Sequence, residues 1–496
     1  MANIPIEYCD EKASGFSLLR NAKAAGINGR TAITGFILSW TALALIFMFV
    51  PVGKGLTFAG RATLAVTVWA IITWLTDSVP KAISGLAIPL LLIVSGAFSQ
   101  IPEAFSGYTN NTTFLVIGTF LFAAAMNCTG LDRRIALAIV GKSSKVGSII
   151  RGIFLANLAS ALFIPATVAR ASTYYPVAQG LKDIFKGHKD EAKIRKTISI
   201  AAVGFSASLG APLFLTSHMP NVVVATILAK TGAIDLSWTK WFLMMWPMVG
   251  LTPIIFFWQK YHFKVNSQNI PGGAQAIGQE KASLGKIQAV DWLILACFAI
   301  AVTLWVTKSL NHMQTGMVTL LALLVLFMPG LLPIGWKTLQ GKTMWGTWLM
   351  LAGAISLASA LSSTGVAKLI ASNVFKVIPH VSGILVLLMV MVVIQIFRLG
   401  IASSVAATSL IAPILAALAP MLHLNPVPFV LSVAILDPFT FLIPVELASC
   451  VVAYGSEDFS FVDFFKAGAP VTLMAIVYVL VIMVPWWSLM GYPLGH

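Results

Sequence analysis

The sequence predicts an all-α polytopic membrane protein built from two inverted repeats, each with one re-entrant hairpin and one broken helix. Three observations predict this class. The 496-residue chain is 58% hydrophobic and only 10% charged, and its mean hydropathy is +0.90. Its apolar runs approach the length that crosses a bilayer, about 20 residues. Polar, proline-containing stretches interrupt these runs at corresponding places in the two halves.

Each interruption combines an arginine, small hydroxyl residues and proline inside an apolar region. The first occupies residues 162–176 and contains Arg170, and the second occupies residues 397–413 and contains Arg398. The Thr-Gly pairs that precede them are 235 residues apart (129 to 364). At membrane depth, a charge or a non-helical backbone is tolerated only where protein buries it or water reaches it. Duplicated interruptions of this kind are the best sequence indication of a transporter's binding site at the bilayer midplane.

Residues 31–258 predict the first transmembrane repeat, with helices at 31–52, 58–76, 83–98, 114–128 and 238–258. An amphipathic segment at 131–145 is expected at the membrane interface. Residues 148–186 form two arms of about 16 residues around Pro165, which is short for two full crossings. A hairpin that re-enters from the cytoplasmic side is therefore predicted. Residues 197–228 predict a broken helix, because glycines, prolines and a polar group interrupt them.

Residues 290–490 predict the second repeat, after a polar linker at 259–289 that contains a Pro-Gly-Gly sequence and is expected in the cytoplasm. Its predicted helices lie at 291–306, 315–332, 347–361 and 469–487. A second hairpin is predicted at about 382–422 and a second broken helix at 429–454. Because an odd number of crossings separates the repeats, the second hairpin is expected to enter from the opposite face.

The net charge of +15 mostly indicates cytoplasmic loops, since membrane proteins concentrate lysine and arginine there. A nucleic-acid partner is not predicted. Basic residues cluster at 12–30, 133–151, 182–196 and 260–286, which all lie on one side if the N-terminal segment 1–30 is cytoplasmic. No cleavable signal peptide is predicted, because the first apolar run begins near residue 31 and no small-residue cleavage pattern follows it.

Signatures of metal sites and enzymes are not found. The four cysteines, Cys9, Cys128, Cys297 and Cys450, have no metal-ligand spacing, so neither a disulfide framework nor a zinc site is predicted. The sequence has no His-Glu-x-x-His, no Gly-x-Ser-x-Gly and no nucleotide-binding glycine loop. An integral membrane enzyme or a channel is the alternative to a transporter. Neither has a recognisable motif here, and no organic cofactor is expected.

Polar residues at the two predicted helix breaks are candidates for binding a substrate or a coupling ion. They are Thr216, Ser217, His218, Asn221, Asp437 and Glu446. Alignment of the repeats pairs Glu446 with Ser217. An acid inside the membrane indicates a proton relay, a cation ligand or an ion pair with a buried arginine. His218 is either a group that titrates near physiological pH or a hydrogen-bonded packing residue.

Short segments in a fixed order resemble the divalent anion/sodium symporter family, which includes the solute carrier thirteen transporters and bacterial di- and tricarboxylate exchangers. The resemblance runs from about residue 68 to 487. The matching segments are Gly118-Thr-Phe-Leu-Phe-Ala-Ala-Ala, Thr129-Gly-Leu-Asp-Arg-Arg-Ile-Ala, Pro165-Ala-Thr-Val-Ala-Arg, Leu213-Phe-Leu-Thr with Pro220-Asn221, and Thr364-Gly365 with Ser403-Ser404. Their order, spacing and duplication together are specific to that family.

Family members carry a Ser-Asn-Thr motif at each hairpin tip, which binds sodium and the substrate carboxylates. The matching positions here read Ala-Thr-Val at 166–168 and Ser-Ser-Val at 403–405, so both asparagines and their amide donors are missing. The resemblance implies substrate binding by Thr167, Ser403 and Ser404, together with Thr216, His218 and Asn221. It also implies a sodium ion near the tips, with Ala166 and Ser217 as its expected contacts. Glu446, with Asp437 nearby, departs from the family, which normally has small or hydroxyl residues there. The two acids are coupling candidates for a cation or a proton because they lie inside the membrane.

Arg170 ends a Pro-Ala-Thr-Val-Ala-Arg segment that resembles the exchanger-like members of the family. Its guanidinium group is expected either to clamp a substrate carboxylate with two parallel bonds or to be the structural partner of a backbone carbonyl or an acid. Arg398 precedes its motif and is expected nearer the wall of its hairpin.

The resemblance implies secondary active transport of a small organic anion, by elevator-like movement of the hairpins and broken helices against the remaining helices. The expected cargo is a di- or tricarboxylate, moved by cation-coupled symport or by anion exchange. A homodimer in a bacterial inner membrane is also implied, with the anion and the lipid bilayer as partners.

Overall fold

The computed structural model describes residues 29–53, 55–140, 145–184, 190–265, 267, 278, 281–282, 284–377, 381–401 and 403–495. These residues form helices and no strand, with only two isolated bridges between backbone segments. Nine of the described helices are long and apolar enough to cross a membrane. The predicted all-α polytopic class is confirmed. The predicted N-terminal segment 1–30 and most of the linker 259–289 lie outside the described residues.

The first half of the chain contains helices α1 to α13. They are α1 (Gly29–Phe49), α2 (Phe58–Thr76), α3 (Lys81–Val94), α4 (Ile101–Ala104), α5 (Asn111–Thr129), α6 (Leu131–Val140), α7 (Val146–Ser160), α8 (Thr167–Ile184), α9 (Glu191–Thr197), α10 (Ser206–Leu209), α11 (Met219–Lys230), α12 (Trp238–Met245) and α13 (Leu251–Phe263). A π-helix (Ile198–Phe205) joins α9 to α10, and a 3-10 turn (Trp246–Gly250) joins α12 to α13.

The second half contains helices α14 to α25. They are α14 (Ala289–Val306), α15 (Lys308–Asn311), α16 (Thr315–Leu326), α17 (Trp336–Lys342), α18 (Trp345–Ser363), α19 (Val366–Phe375), α20 (Gly383–Gly400), α21 (Ser404–Met421), α22 (Pro426–Leu436), α23 (Ala448–Tyr454), α24 (Phe461–Tyr478) and α25 (Val484–Leu489). A 3-10 turn (Asp437–Phe439) extends α22, and a π-helix (Val479–Met483) joins α24 to α25.

Several elements of the first half have counterparts of equal length in the second half. Helices α5 and α18 each have 19 residues, α6 and α19 each have 10, and α8 and α21 each have 18. Each half has one hairpin, α7 with α8 (hairpin 1) and α20 with α21 (hairpin 2). Each half also has one broken helix. These pairs match the duplicated elements that the sequence predicts.

Glycines allow the two repeats to approach closely away from the hairpins. Helix α3 packs on α18, and a Cβ atom on Gly353 would lie 2.2 Å from the carbonyl oxygen of Gly85. Helix α5 packs on α16, and a Cβ on Gly118 would lie 2.3 Å from Cγ2 of Thr319. Small residues at such crossings are the usual way in which membrane helices pack tightly. These crossings join α3 to α18 and α5 to α16, and we call these four helices, together with α17, the scaffold. Helix α18 also packs on α21 of hairpin 2.

The hairpins and broken helices of the two repeats are interlocked. Helix α8 of hairpin 1 packs against α23, the last arm of the second broken helix. Helix α21 of hairpin 2 packs against α11, the last arm of the first broken helix. Each hairpin is therefore held by the broken helix of the other repeat, and the four elements form one packed body.

The last long helix begins earlier than the sequence analysis predicts. It starts at Phe461 rather than at residue 469, and Pro470 lies inside it. The prediction was wrong because it took the proline region as the start of the helix. Ser460 and Asp463 form a capping box at the true start, and this Ser-x-x-acid pattern is a sequence signal for a helix N-terminus.

Candidate functional site

The tip of hairpin 1 (tip 1, residues 161–166) is non-helical because of Pro165. A proline lacks the backbone N–H that continues a helix, and it pushes the preceding residue out of the helical conformation. Helix α7 therefore ends at Ser160, and the N–H of Ile164 donates to its carbonyl at 2.7 Å. Helix α8 begins at Thr167, directly after the tip. This geometry brings the first turn of α8, which contains Arg170, to the tip.

Arg170 is fully buried and binds backbone carbonyl oxygens. Its Nη1 donates to Ile164 at 2.6 Å and to Ser217 at 2.9 Å, while Nε and Nη2 donate to Ala207 at 3.1 and 2.9 Å. Four of the five N–H donors of the guanidinium group are thus engaged. Of the two roles that the sequence left open, these contacts favour the structural partner of backbone carbonyls over the carboxylate clamp.

Arg398, near the end of α20, has an equivalent role at the tip of hairpin 2 (tip 2), of which Ile401 and Ser403 are described. Its Nη1 donates to the carbonyl of Ile401 at 2.7 Å, and its Nη2 donates to the carbonyl of Glu446 at 3.0 Å. Its Nε lies 3.3 Å from Oδ1 of Asp437. Each arginine therefore ties the tip of its own hairpin to the broken helix of the same repeat, although the two occupy different places along their hairpins.

Glu446 and Ser217 have equivalent roles in the two helix breaks, which we call break 1 (residues 210–218) and break 2 (residues 437–447). The hydroxyl of Ser217 accepts the N–H of Phe214 at 3.3 Å. Oε2 of Glu446 accepts the N–H groups of Leu442 and Ile443 at 3.0 and 3.1 Å. Both side chains thus hold the backbone three residues earlier. Oε1 of Glu446 is buried without a hydrogen-bond partner among the described residues.

Asn221 shapes break 1 from the first turn of α11. Its Nδ2 donates to the carbonyls of Ala211 and Phe214 at 2.8 and 2.9 Å, and its Oδ1 is buried without a partner in the described part of the chain. Thr216 lies near the same end of break 1, and its hydroxyl accepts the indole N–H of Trp238 at 3.5 Å. Both residues are buried.

His218 and Asp437 connect the two breaks. Nε2 of His218 lies 2.8 Å from Oδ2 of Asp437, and both side chains are buried. Because Asp437 also faces Arg398 at 3.3 Å, a continuous series of contacts runs from one tip to the other. Its members in order are Ile164, Arg170, Ser217, His218, Asp437, Arg398 and Ile401. Of the predicted site residues, Arg170, Ser217, His218, Asp437 and Arg398 thus belong to one buried series. Thr216 and Asn221 instead contact other residues of the first repeat.

Hydroxyl and carbonyl groups at the two tips complete this region. Thr167 is 8% exposed and opens α8, while the carbonyl of Ala166 accepts the N–H of Arg170 at 3.0 Å. The hydroxyl of Ser403 caps α21 by accepting the N–H of Ala406 at 3.4 Å. The hydroxyl of Ser404 accepts from Nη2 of Arg398 at 3.3 Å.

A cavity of about 300 Å³ reaches tip 1. Ile164 and Pro165 of the tip line it, together with Ala169, Ser172 and Thr173 of α8. The remaining lining comes from α5, α6 and the end of α17: Phe120, Ala123, Ala124, Asn127, Asp132, Arg133, Lys342 and Met344. Hairpin 1 therefore borders an open space between the interlocked body and the scaffold.

A metal-binding cluster of three or more histidine, cysteine or acidic side chains is not found among the described residues. A small cation near the tips would instead meet oxygen atoms, which suit sodium-like hard ions. The unpartnered Oε1 of Glu446 and Oδ1 of Asn221 are two such oxygens.

A buried charge cluster that the sequence analysis missed stabilises the far end of hairpin 1. Nζ of Lys182 lies 2.5 Å from Oδ2 of Asp458, which also accepts from the hydroxyl of Ser199 at 2.6 Å. Nε of Arg195 lies 2.9 Å from Oδ1 of the same carboxylate. No local signal reveals this cluster, because Lys182 and Asp458 are 276 residues apart.

Burial of the Asp458 carboxylate opposes its ionisation, but three hydrogen bonds together outweigh that effect. The donors are Lys182, Ser199 and Ser456, and the charge of Lys182 adds to them, so that the pKa of Asp458 is lowered to about 2. Asp458 lies in the loop between α23 and α24, outside the membrane-spanning helices. The carboxylate is therefore ionised at neutral pH.

Comparison with known proteins adds to this geometry. A family model described as the sodium:sulfate symporter transmembrane region matches residues 32–492. A membrane protein of Cupriavidus necator is 27% identical over 475 residues, which cover 91% of this chain and 92% of that protein. The sodium-dependent dicarboxylate transporter SdcS of Staphylococcus saprophyticus is 25% identical over 479 residues, covering 91% of this chain and 90% of that protein.

Two solved structures share the fold at low sequence identity. The YdaH transporter of Alcanivorax borkumensis has a TM-score of 0.55 and 14% identity, and the match covers 88% of this chain and 100% of that chain. MtrF of Neisseria gonorrhoeae, described with a class of antimetabolite efflux pumps, has a TM-score of 0.53 and 14% identity over 92% of this chain and 94% of that chain.

Proposed function

The chain belongs to the sodium:sulfate symporter family, and from this premise we propose that it is an elevator-type secondary transporter of a small organic anion. A di- or tricarboxylate is the proposed cargo. The protein is a multi-pass membrane transporter, not an enzyme. Relatives named as sodium-dependent dicarboxylate transporters support the cargo class.

The observation that carries the proposal is the meeting of both tips and both breaks through buried polar contacts. Arg170 and Arg398 tie each tip to its break, and the His218–Asp437 contact joins the breaks. Non-helical backbone and charge are costly inside a bilayer and persist where they serve a site. Broken helices from two repeats that meet in this way are typical of a transporter's binding site.

The proposed cargo contacts are the hydroxyl groups of the tips, Thr167, Ser403 and Ser404. Thr216, His218 and Asn221 are proposed to complete the binding site from break 1 and α11. The hydroxyl groups and the imidazole can donate hydrogen bonds to carboxylate oxygens, whereas both N–H donors of Asn221 are engaged by carbonyl groups and its role is to shape break 1. We assign Arg170 the role of holding tip 1 in place, because its donors are engaged by carbonyl groups.

Coupling to a cation is proposed, with sodium favoured by the names of the relatives. Its proposed contacts are the carbonyl of Ala166, Ser217 and the carboxylates of Asp437 and Glu446. The unpartnered Oε1 of Glu446 supports this proposal, because a buried carboxylate oxygen without a donor is costly. Proton symport through the same acids and anion exchange are the competing modes.

The elevator movement is supported by how the elements pack. Each hairpin packs on the broken helix of the other repeat, so these elements would move together. The glycine crossings Gly85–Gly353 and Gly118–Thr319 join α3 to α18 and α5 to α16, and these helices are the proposed stationary part. We further propose two repeats at 31–258 and 290–490, a cytoplasmic N-terminus, a homodimeric assembly and a bacterial inner-membrane location.

Uptake by purified protein in liposomes tests the proposal. Radiolabelled acetate, succinate, citrate and sulfate would each be added outside the liposomes. Uptake would be measured with an inward sodium gradient, with an inward proton gradient, and with the unlabelled anion inside to detect exchange. We expect saturable uptake of succinate or citrate that requires the sodium gradient, and loss of most uptake in Ser404→Ala. Ser362→Ala, in the scaffold helix α18, is the matched control. Uptake of sulfate alone would reject the carboxylate cargo, and no uptake of any anion would reject the function.

A further inference from the structure

The two buried arginines leave an organic anion without an obvious charged partner at tip 1. Arg170 directs four of its five N–H donors to carbonyl oxygens. Arg398 is bound to two carbonyls, Ser404 and Asp437. A cation that attracts a carboxylate near tip 1 must therefore come from another element.

Lys342 is exposed and lines the same cavity of about 300 Å³ as Pro165 of tip 1. Arg133 also lines this cavity, and Asp132 is its acidic neighbour. The Asp132 carboxylate is 5% exposed and accepts from Nδ2 of Asn127 at 3.1 Å and from the N–H of Arg133 at 2.8 Å. The negative charge of Asp132 is thus stabilised by hydrogen-bond donors, whereas the side chain of Lys342 is exposed.

The backbone around Lys342 is held firmly. Lys342 is the last residue of α17, which packs on α5, and Leu339 of the same helix is fully buried. The hydroxyl of Thr343 donates to the carbonyl of Leu339 at 2.9 Å, and Thr343 itself is buried. Lys342 therefore projects from a fixed point of the scaffold, while its long side chain can follow a ligand.

We propose that Lys342 is a specificity-determining residue of the transporter. Its ammonium group attracts the anionic cargo into the cavity beside tip 1 and favours an anion with two carboxylates over one with a single carboxylate. A cavity with low-dielectric walls focuses the field of such a charge and raises the local concentration of counter-ions. This role rests on the proposed function and adds a recognition element outside the hairpin tips.

Transport kinetics provide the first test. In liposomes at low salt, Lys342→Gln is expected to raise KM for succinate about 3- to 10-fold with little change in Vmax. The effect should be smaller for a monocarboxylate and should shrink at high salt. Lys342→Arg should restore KM, and Lys337→Gln, an exposed lysine of the same helix outside the cavity lining, should resemble the wild type. Equal KM values for Lys342→Gln and Lys337→Gln would overturn the proposal.

A second test measures the local potential without transport. Ser172 lines the cavity on α8 and is exposed. Ser172→Cys would be labelled by an anionic and a cationic methanethiosulfonate, after Cys9 and Cys128 are replaced by serine. The ratio compares the labelling rate of the anionic reagent with that of the cationic reagent. Lys342→Gln should lower this ratio about 3-fold, and an unchanged ratio would overturn the proposal. If the wild type transports no anion, the proposed transport function is rejected. The ratio of labelling rates still tests whether Lys342 sets the potential in the cavity.

Discussion

Nε2 of His218 lies 2.8 Å from Oδ2 of Asp437, and this contact joins break 1 of the first repeat to break 2 of the second. The two residues are 219 positions apart in the chain. Because Asp437 also faces Arg398 at 3.3 Å, the contact connects the two hairpin tips through buried polar groups.

Arg170→Ala is expected to lower the apparent melting temperature in detergent by roughly 5 °C or more, and to abolish uptake. The reason is that the buried carbonyls of Ile164, Ala207 and Ser217 would lose their donors, at about 1–3 kcal/mol each. Arg151→Ala, at an exposed arginine of α7, is the control. Loss of uptake with an unchanged melting temperature would instead indicate direct contact of Arg170 with the cargo.

Glu446→Gln is expected to fold and to transport. The sodium concentration that gives half-maximal uptake should be several-fold higher than in the wild type. The amide oxygen of glutamine can still accept the N–H groups of Leu442 and Ile443, but the negative charge for a cation is lost. Uptake would be measured as a function of sodium at several pH values. A shifted pH profile with unchanged sodium dependence would indicate a proton relay. Glu446→Ala, which cannot hold the break, should be less stable than Glu446→Gln.

Asp458→Asn is expected to lower thermal stability at neutral pH, because Lys182 and Arg195 would lose this carboxylate. Removing one partner of a buried ion pair costs about 3–5 kcal/mol. The folded-state pKa is about 2, below the usual value of about 3.9 for aspartate. The stabilisation is therefore complete above about pH 4 and is lost as the pH falls toward 2. Between pH 6 and pH 2.5, the melting temperature of the wild type should fall toward that of Asp458→Asn. A difference in melting temperature that stays constant over this range would contradict the prediction.

Gly353→Ala is expected to destabilise the scaffold. The added Cβ atom would lie 2.2 Å from the carbonyl of Gly85, and backbone must shift to relieve such a contact. Overpacking of this kind costs about 1–3 kcal/mol or more. Gly346→Ala, on the same helix, meets its nearest atom, Cβ of Ala82, at 3.6 Å and should be tolerated. Melting temperatures of the purified variants in detergent would compare the two. Equal stability of both variants would mean that the α3–α18 crossing adapts easily.

Much of the architecture could be predicted from local signals. The hairpin interruption at Pro165 is observed as tip 1 between α7 and α8, and helix α2 spans Phe58–Thr76 as the apolar run predicts. The pairing of Ser217 with Glu446 was predicted from repeat alignment, and both side chains hold break backbone in the structure. These features are predictable because apolar length, proline chemistry and duplication act within short segments.

Other features depend on which distant segments meet. The sequence could not choose between a substrate clamp and a carbonyl partner for Arg170, because the choice depends on Ala207 and Ser217 lying beside it. The same holds for the cluster of Lys182 with Asp458, and for the cavity that Lys342 shares with tip 1. None of these partners is a neighbour in the chain.

The sequence by itself determined that this is a membrane protein with two repeats, each with a polar interruption, since hydrophobic length and helix-breaking residues are local properties. The tertiary structure decided which polar groups satisfy one another inside the bilayer. A buried guanidinium or carboxylate must find donors and acceptors wherever the fold supplies them. Here they are supplied by carbonyls of the opened helices and by side chains of the opposite repeat.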